Sequence, residues 1–204
     1  MMFGVVGTHR SGKTTLAREL SERLGIHFQD SSFGRIAKDL GYDSVAPMSL
    51  SERIDMQEKV LDRHIEEIKA APRPCLTDRT PMDMITYTLG EIGMHHDASP
   101  ELQQRILAYV QRCIDLTKQN YDTLIVCKPL PGNYKVEEGK PPPNIAYQHH
   151  LQFILEGALK QVDRTVTVGI LNVADLETRI SASAGVICER LEQISAQKRT
   201  AIYH

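Results

Sequence analysis

No apolar run in the 204 residues approaches the roughly 18–20 needed to cross a bilayer, so a membrane-spanning helix is not expected. The chain has no charge of one sign to spare: 24 basic and 26 acidic residues leave a net charge of −2. That argues against a surface coated with cations for nucleic acid, although it leaves room for a local basic groove. Cys75, Cys113, Cys127 and Cys188 form no C-x-x-C pair. They read as small buried or partly buried thiols in a reducing compartment, not as a disulfide framework or a zinc site. No internal repeat and no domain linker interrupts the sequence. Apolar content of 41% and charged content of 25% are ordinary for a globular protein. The length suffices for one full core and is marginal for two, so one domain over residues 1–204 is expected. The N-terminus leads straight into a strand, so the expectation is a cytoplasmic protein without a signal peptide.

What is present begins at Gly7. Gly7-Thr8-His9-Arg10-Ser11-Gly12-Lys13-Thr14 spell G-x-x-x-x-G-K-T directly after the apolar run Met2-Phe3-Gly4-Val5-Val6. Strand, glycine-bounded loop and helix form the setting of a phosphate-binding loop. The glycines let the backbone curl until successive N–H groups point at phosphate oxygens. The following helix adds its positive end. Lys13 can reach the β- and γ-phosphates, and the Thr14 hydroxyl can ligate Mg²⁺. The motif's candidate phosphate-binding residues are therefore Gly7, Thr8, His9, Arg10, Ser11, Gly12, Lys13 and Thr14, with Mg²⁺ at Thr14.

The rest of the chain alternates strands with helices. Leu16, Leu20 and Leu24 predict a helix from Lys13 to Leu24, stopped by Gly25. Ile26–Gln29 is a strand candidate, and 30–40 reads as loop, then helix. Ser49 and Glu52 form a capping box for a helix to about Ala70. A strand over Cys75–Asp78 follows. Thr80-Pro81-Met82-Asp83 and Ser99-Pro100-Glu101 are helix starts, each with a cap, a proline at the first turn and an acid. Thr123–Cys127 is a buried strand by its continuous apolar run. Pro129–Pro143 holds five prolines and two glycines, and a lid loop is expected over about 128–148. A helix over about 146–161, a strand over 165–170 and a helix from about Ala174 complete the chain. This alternation predicts an α/β fold, a parallel five-stranded sheet between two helical layers with right-handed crossovers.

In such a sheet, ligands bind beyond the carboxyl ends of the strands. The rule selects Asp30, Ser32 and Arg35 after the second strand, Asp78 and Arg79 after the third, Lys128 after the fourth and Asn172 after the fifth. Asp78 can hold Mg²⁺ or accept a proton from an attacking hydroxyl. Arg79 offers a planar fork for phosphate. Asp30 is a second candidate base, and Arg35 a second phosphate clamp. Lys128, Lys135 and Lys140 lie on or beside the lid and are candidates to close over the phosphates. His95-His96 and His149-His150 are adjacent pairs. Neighbours on a helix point about 100° apart, so neither pair is expected to chelate a metal.

The G-x-x-x-x-G-K-T loop, T-D-R-T-P-M-D about sixty residues on, and an apolar strand leading into a Pro-rich loop resemble the P-loop nucleoside and nucleotide kinases. The likeness extends to the small AAA-type ATP-binding proteins common in phages and to the ribosylnicotinamide kinase domain of the NAD-biosynthesis regulator. It also takes in relatives of thymidylate kinase and the deoxynucleoside kinases. It covers Met2 to about Ile170. It implies a P-loop NTPase sheet in the order 2-3-1-4-5, which sets Asp78 beside the phosphate loop. It also implies that Gly7 to Thr15, Thr15 included, hold ATP and that the acceptor lies against Asp30, Arg35 and the helix after Arg79. These kinases usually carry lid arginines. This chain has no arginine between Arg112 and Arg164, so Lys135 or Lys140 would have to substitute.

Mechanical ATPases commonly set a glutamate after the strand-end aspartate to activate water. Here that position is Arg79, and the strand ending Val126-Cys127-Lys128 carries no acid. No N-K-x-D motif reads a guanine base. Transfer of the γ-phosphoryl group of ATP to a nucleoside, a (deoxy)nucleoside monophosphate or a related nucleotide is the expected reaction, with Lys13, Asp78, Arg79, Asp30 and Arg35 as its residues. The alternatives are a kinase acting on a hydroxyl of a nucleic acid, whether a strand end or a hydroxymethylated base, and an ATPase or nucleotide-dependent switch. A small-molecule partner follows, nucleic acid is allowed but not indicated by the net charge, and a homodimer stays open.

Overall fold

The structure is a computed structural model that describes residues 1–44, 46–92, 98–130 and 144–202, with side chains as far as 197. The strands are β1 (Met2–Gly7), β2 (His27–Gln29), β3 (Cys75–Thr77), β4 (Thr123–Cys127) and β5 (Thr167–Leu171). The helices among the described residues are α1 (Lys13–Leu24), α2 (Phe33–Asp39), α3 (Leu50–Ala70), α4 (Pro81–Ile92), α5 (Pro100–Asn120), α6 (Ile145–Leu159) and α7 (Leu176–Ile202). All strand pairs are parallel, and the order is β2-β3-β1-β4-β5 as expected.

The central strand β1 is buried along its whole length, and its alternation serves two cores. Met2 and Val6 face a cluster built largely by α3, α4, α5 and α6. Phe3 and Val5 face a second cluster with Leu16 and Leu20 of α1 and Ile180 and Ile187 of α7. Adjacent strand residues point to opposite faces, so one apolar run feeds both helical layers.

The local signals operate as read. Gly25 closes α1 in the left-handed conformation at φ 62°. Ser49 and Glu52 form the reciprocal capping box of α3. Ser99 caps α5, with Pro100 in its first turn. The last strand starts two residues later and ends one residue later than expected, because 160–166 forms turns after α6. Gly4 has no room for a side chain: a Cβ there would collide with Thr80 and lie 3.0 Å from Leu124 and Tyr121. Cys75, Cys113 and Cys127 are buried, Cys188 is exposed, and all four are free thiols. No helix among the described residues is long and apolar enough to cross a membrane.

Candidate active site

β1 lies between β3 and β4, so the loop after Gly7 emerges at the middle of the sheet's carboxyl edge with Asp78 beside it. The turn needs left-handed backbone at Arg10 (φ 59°) and Gly12 (φ 76°). Inside it, Lys13 Nζ donates to Gly7 O at 2.7 Å and Thr8 O at 2.6 Å, and the residue is 4% exposed. Burial pulls its pKa down to about 7; the Arg79 charge adds to the effect, and Asp83 offsets part of it. Thr14 Oγ1 donates to Asp78 Oδ2 at 2.6 Å. Asp78 Oδ1 accepts from the Ser31 amide at 3.2 Å. The hydroxyl and the carboxylate thus sit together at the helix start.

These oxygens suit a hard divalent cation. Among the described residues no group of three acidic, histidine or cysteine side chains could cage a metal. Mg²⁺ characteristically takes one or two protein oxygens and completes its shell with phosphate and water, and Thr14 Oγ1 with Asp78 Oδ2 is such a pair.

Three side chains from three helices grip the loop's backbone, and none of them was singled out from the sequence. Asp83 of α4 accepts the Gly7 amide at Oδ1 (3.2 Å). Its Oδ2 accepts the Thr80 amide at 2.9 Å and the Thr80 hydroxyl at 3.2 Å. Its side chain is fully buried. Desolvation raises its pKa, and the Lys13 and Arg79 charges oppose the rise. Gln148 of α6 donates to His9 O at 2.7 Å. Arg179 of α7 donates to Ser11 O at 2.8 Å. The His9 ring stacks on Tyr147 at 6.0 Å, and burial with three neighbouring cations lowers its pKa. In the sequence Asp83 showed only as an acid in a first helical turn, and Gln148 and Arg179 carried no local signal.

Arg79 joins this loop to a cavity of about 230 Å³ between α2, α3 and α4. Its Nη1 lies 3.7 Å from Asp83 Oδ1 and has no hydrogen-bond partner. The Tyr87 hydroxyl lies against the same guanidinium. Phe33, Met56, Val60 and Met84 form apolar walls, and Gln57, Arg53 and Glu91 supply polar edges. Arg53 Nε pairs with Glu91 at 3.1 Å, and its Nη1 donates to Ser44 O at 2.8 Å.

Asp30 and Arg35 do not line this cavity. Asp30 Oδ1 accepts the Ser32 amide at 2.9 Å, and Oδ2 lies 3.8 Å from Arg18. Arg35 pairs with Glu67 at 2.6 Å and Asp39 at 3.0 Å. Lys128 lies 3.6 Å from Glu156. Lys135 and Lys140, the lid between 131 and 143, and His95-His96 lie outside the described residues. His149 and His150 are exposed on α6, the latter stacked on Tyr147.

A parallel 2-3-1-4-5 sheet with a G-x-x-x-x-G-K-T loop after its central strand defines the class: this is the P-loop nucleoside and nucleotide kinase fold. By its match over residues 3–179 to the model of that family, the chain belongs to the AAA domain family. A deoxyadenosine kinase from M. mycoides, solved with dCMP and dCDP bound, has a TM-score of 0.59 at 18% identity, over 95% of this chain and 100% of that one. Thymidylate kinase from Candida albicans has a TM-score of 0.58 at 14% identity, over 94% and 92%. NadR protein in complex with NAD and AMP-PNP has a TM-score of 0.56 at 16% identity, and the match covers 93% of this chain but 49% of that one. At these identities the likeness is one of fold. A search of curated proteins finds no match.

Proposed function

We propose that the protein is an ATP-dependent kinase whose acceptor is a nucleoside-type hydroxyl, bound in the cavity beside Arg79. The single observation that carries this reading is the continuity from phosphate loop to cavity, running from the Gly7 amide through Asp83 to Arg79. A phosphoryl donor on the loop and an acceptor in the cavity then meet across one arginine. Similarity in fold to solved nucleoside and nucleotide kinases supports it.

Charge favours a nucleoside over a monophosphate. Each arginine at the cavity already faces an acid, Arg53 with Glu91 and Arg79 with Asp83. Arg35 is tied to Glu67 and Asp39. With Arg79 given to the transferring group through its unpartnered Nη1, an acceptor phosphate dianion would have to pull Arg53 from Glu91, whereas a base and sugar need only apolar walls and hydrogen-bonding edges.

In the reaction, the acceptor oxygen bonds to the γ-phosphorus as the bond to the β,γ-bridging oxygen breaks, and ADP leaves. Lys13 and the loop amides stabilise the charge on the β- and γ-oxygens. Asp78 accepts the hydroxyl proton. Neither Asp78 nor Asp30 lines the cavity; Asp78 is preferred because its bond to Thr14 sets it at the start of the helix that follows the phosphate loop, whereas Asp30 is turned to the Ser32 amide and Arg18. Mg²⁺, held through Thr14 and Asp78, would neutralise phosphate charge when bound. Arg79 holds the transferring group against the cavity, and Lys135 or Lys140 is proposed to cover the phosphates.

The test is product chromatography with ATP and a panel of nucleosides, ribosylnicotinamide, nucleoside monophosphates and DNA bearing hydroxymethylated pyrimidines. Phosphorylation of a nucleoside, abolished in a folded Lys13→Ala variant, is expected. Hydrolysis independent of acceptor, or binding without turnover, would replace the kinase reading with an ATPase or a switch.

A further inference from the structure

Arg179 sits in the first turn of α7 and is 2% exposed. Its Nη2 donates to Ser11 O at 2.8 Å, the guanidinium also hydrogen-bonds the Cys127 thiol, and its Nε has no hydrogen-bond partner. A Cβ on Gly12 would stand 3.0 Å from its Nη1, so the guanidinium packs directly behind the second glycine of the loop. Among the described residues no carboxylate forms an ion pair with it. The two acids nearest in its own helix start are committed elsewhere. Asp175 caps Thr178 at 2.8 Å, and Glu177 pairs with Arg23 at 2.6 Å. On the sheet side it meets the Cys127 thiol, which burial keeps protonated and uncharged. Lys13 presses on the same thiol from the loop. Asp83 and Asp78, the acids that reach Lys13, pair with Arg79 and Thr14, not with Arg179.

A buried cation without an anion is costly, and a neutral side chain of similar volume would be tolerated better in the empty protein. Among the described residues no anion meets this charge, and a bound anion would. The loop it packs against binds phosphate. The chain also has no arginine between Arg112 and Arg164, so no arginine of that segment can supply the positive charge a polyphosphate needs.

We infer that Arg179 is a positioning residue of the nucleotide site: from a fixed helix it holds the Ser11–Gly12 backbone and supplies the counter-charge for the β- and γ-phosphates of the bound nucleotide. Acting through the loop, it needs no contact with the reacting atoms. The inference rests on nucleotide binding by the loop and not on the acceptor, so it survives if no kinase turnover is found.

The experiment compares wild type with Arg179→Met, which keeps the length of the side chain without its charge, and Arg179→Lys. The denaturation midpoint of the nucleotide-free protein and calorimetric Kd values for ATP, ADP and AMP are measured. The expected result has opposite signs in the two assays. Empty Arg179→Met is at least as stable as wild type, while its ATP affinity falls about tenfold or more. AMP affinity changes little, and Arg179→Lys recovers part of the loss for ATP. A merely structural strut gives a less stable empty protein with an unchanged Kd. Either a less stable empty Arg179→Met protein or an ATP Kd within about twofold of wild type overturns the inference. If that variant does not fold, Arg179→Gln, whose amide can still donate to Ser11 O, is read by the same two criteria. Failure of both neutral variants to fold also overturns it, because the charge would then be stabilising the empty protein.

Discussion

Removing the Asp83 carboxylate should damage fold and site together. Asp83→Ala strips the acceptor from two backbone amides, Gly7 and Thr80, and from the Thr80 hydroxyl. It also leaves Arg79 facing an empty space where its acid stood at 3.7 Å. Each stranded buried donor costs about 1–3 kcal/mol, and breaking a buried pair by deleting one partner costs about 3–5 kcal/mol. The two estimates overlap because one carboxylate serves both purposes, so the expected loss is about 3–5 kcal/mol. For a domain of this size that is about 6–20 °C in Tm. Asp83→Asn keeps one acceptor oxygen but turns its NH₂ toward the other amide or toward Arg79, and should lose about 1–3 kcal/mol. Urea denaturation gives the free energies, and ATP affinity reports the loop held by the Gly7 bond. An Ala variant within about 1 kcal/mol of wild type, or one that is strongly destabilised yet binds ATP normally while folded, would refute the account of Asp83 as the brace between loop and cavity.

Nucleotide binding should take up a proton above neutral pH. Lys13 is held at about 7 in the empty site against an ordinary 10.5, and phosphate restores the ammonium, so the ATP Kd should rise toward about tenfold per pH unit above 7. Calorimetry in buffers of different ionisation enthalpy measures the uptake, and a Kd that does not move with pH contradicts the burial argument. By the same linkage the unfolded chain holds the Lys13 proton between about 7 and 10.5 while the empty fold does not. The penalty of Lys13 is therefore full below 7, and the stability of the empty protein gains from this group as pH rises through that window. Gly4→Ala should cost about 1–3 kcal/mol by overpacking against Thr80, Leu124 and Tyr121, read from the melting temperature; a neutral substitution would show that the central strand has slack. Arg53→Ala, which breaks the pair with Glu91 in the cavity wall, should raise the acceptor KM and leave the ATP KM unchanged; the reverse pattern would move the acceptor elsewhere.

Local chemistry carried much of the architecture. A capping serine and its glutamate lie three positions apart, a glycine stop follows its helix directly, and a phosphate loop occupies eight consecutive residues, so each is written in a short stretch of sequence. The alternation of elements gives a parallel sheet covered on both faces, whereas the strand order, which sets Asp78 beside the loop, is implied by the resemblance alone. The proposed partners of the reaction divide differently. Asp30 and Arg35 follow the second strand as the topology rule requires, yet their neighbours Ser32, Arg18, Glu67 and Asp39 occupy them. The Ser32 amide and Asp39 are local partners at spacings of two and four, but Arg18 and Glu67 lie on other elements, where packing decides the pairing and no pattern along the chain announces it.

By itself the sequence determined the G-x-x-x-x-G-K-T loop and the sequence of strands and helices, because those depend on residues near one another in the chain and on periodicities of two and 3.6. Only the tertiary structure decided what holds the loop and what opens beside it. Asp83, Gln148 and Arg179 reach Gly7, His9 and Ser11 from 76, 139 and 168 positions away. The cavity exists only where α2, α3 and α4 meet. Contacts across such separations form when apolar faces pack the helices against the sheet, and a side chain's partner is then whatever that packing brings within hydrogen-bonding distance.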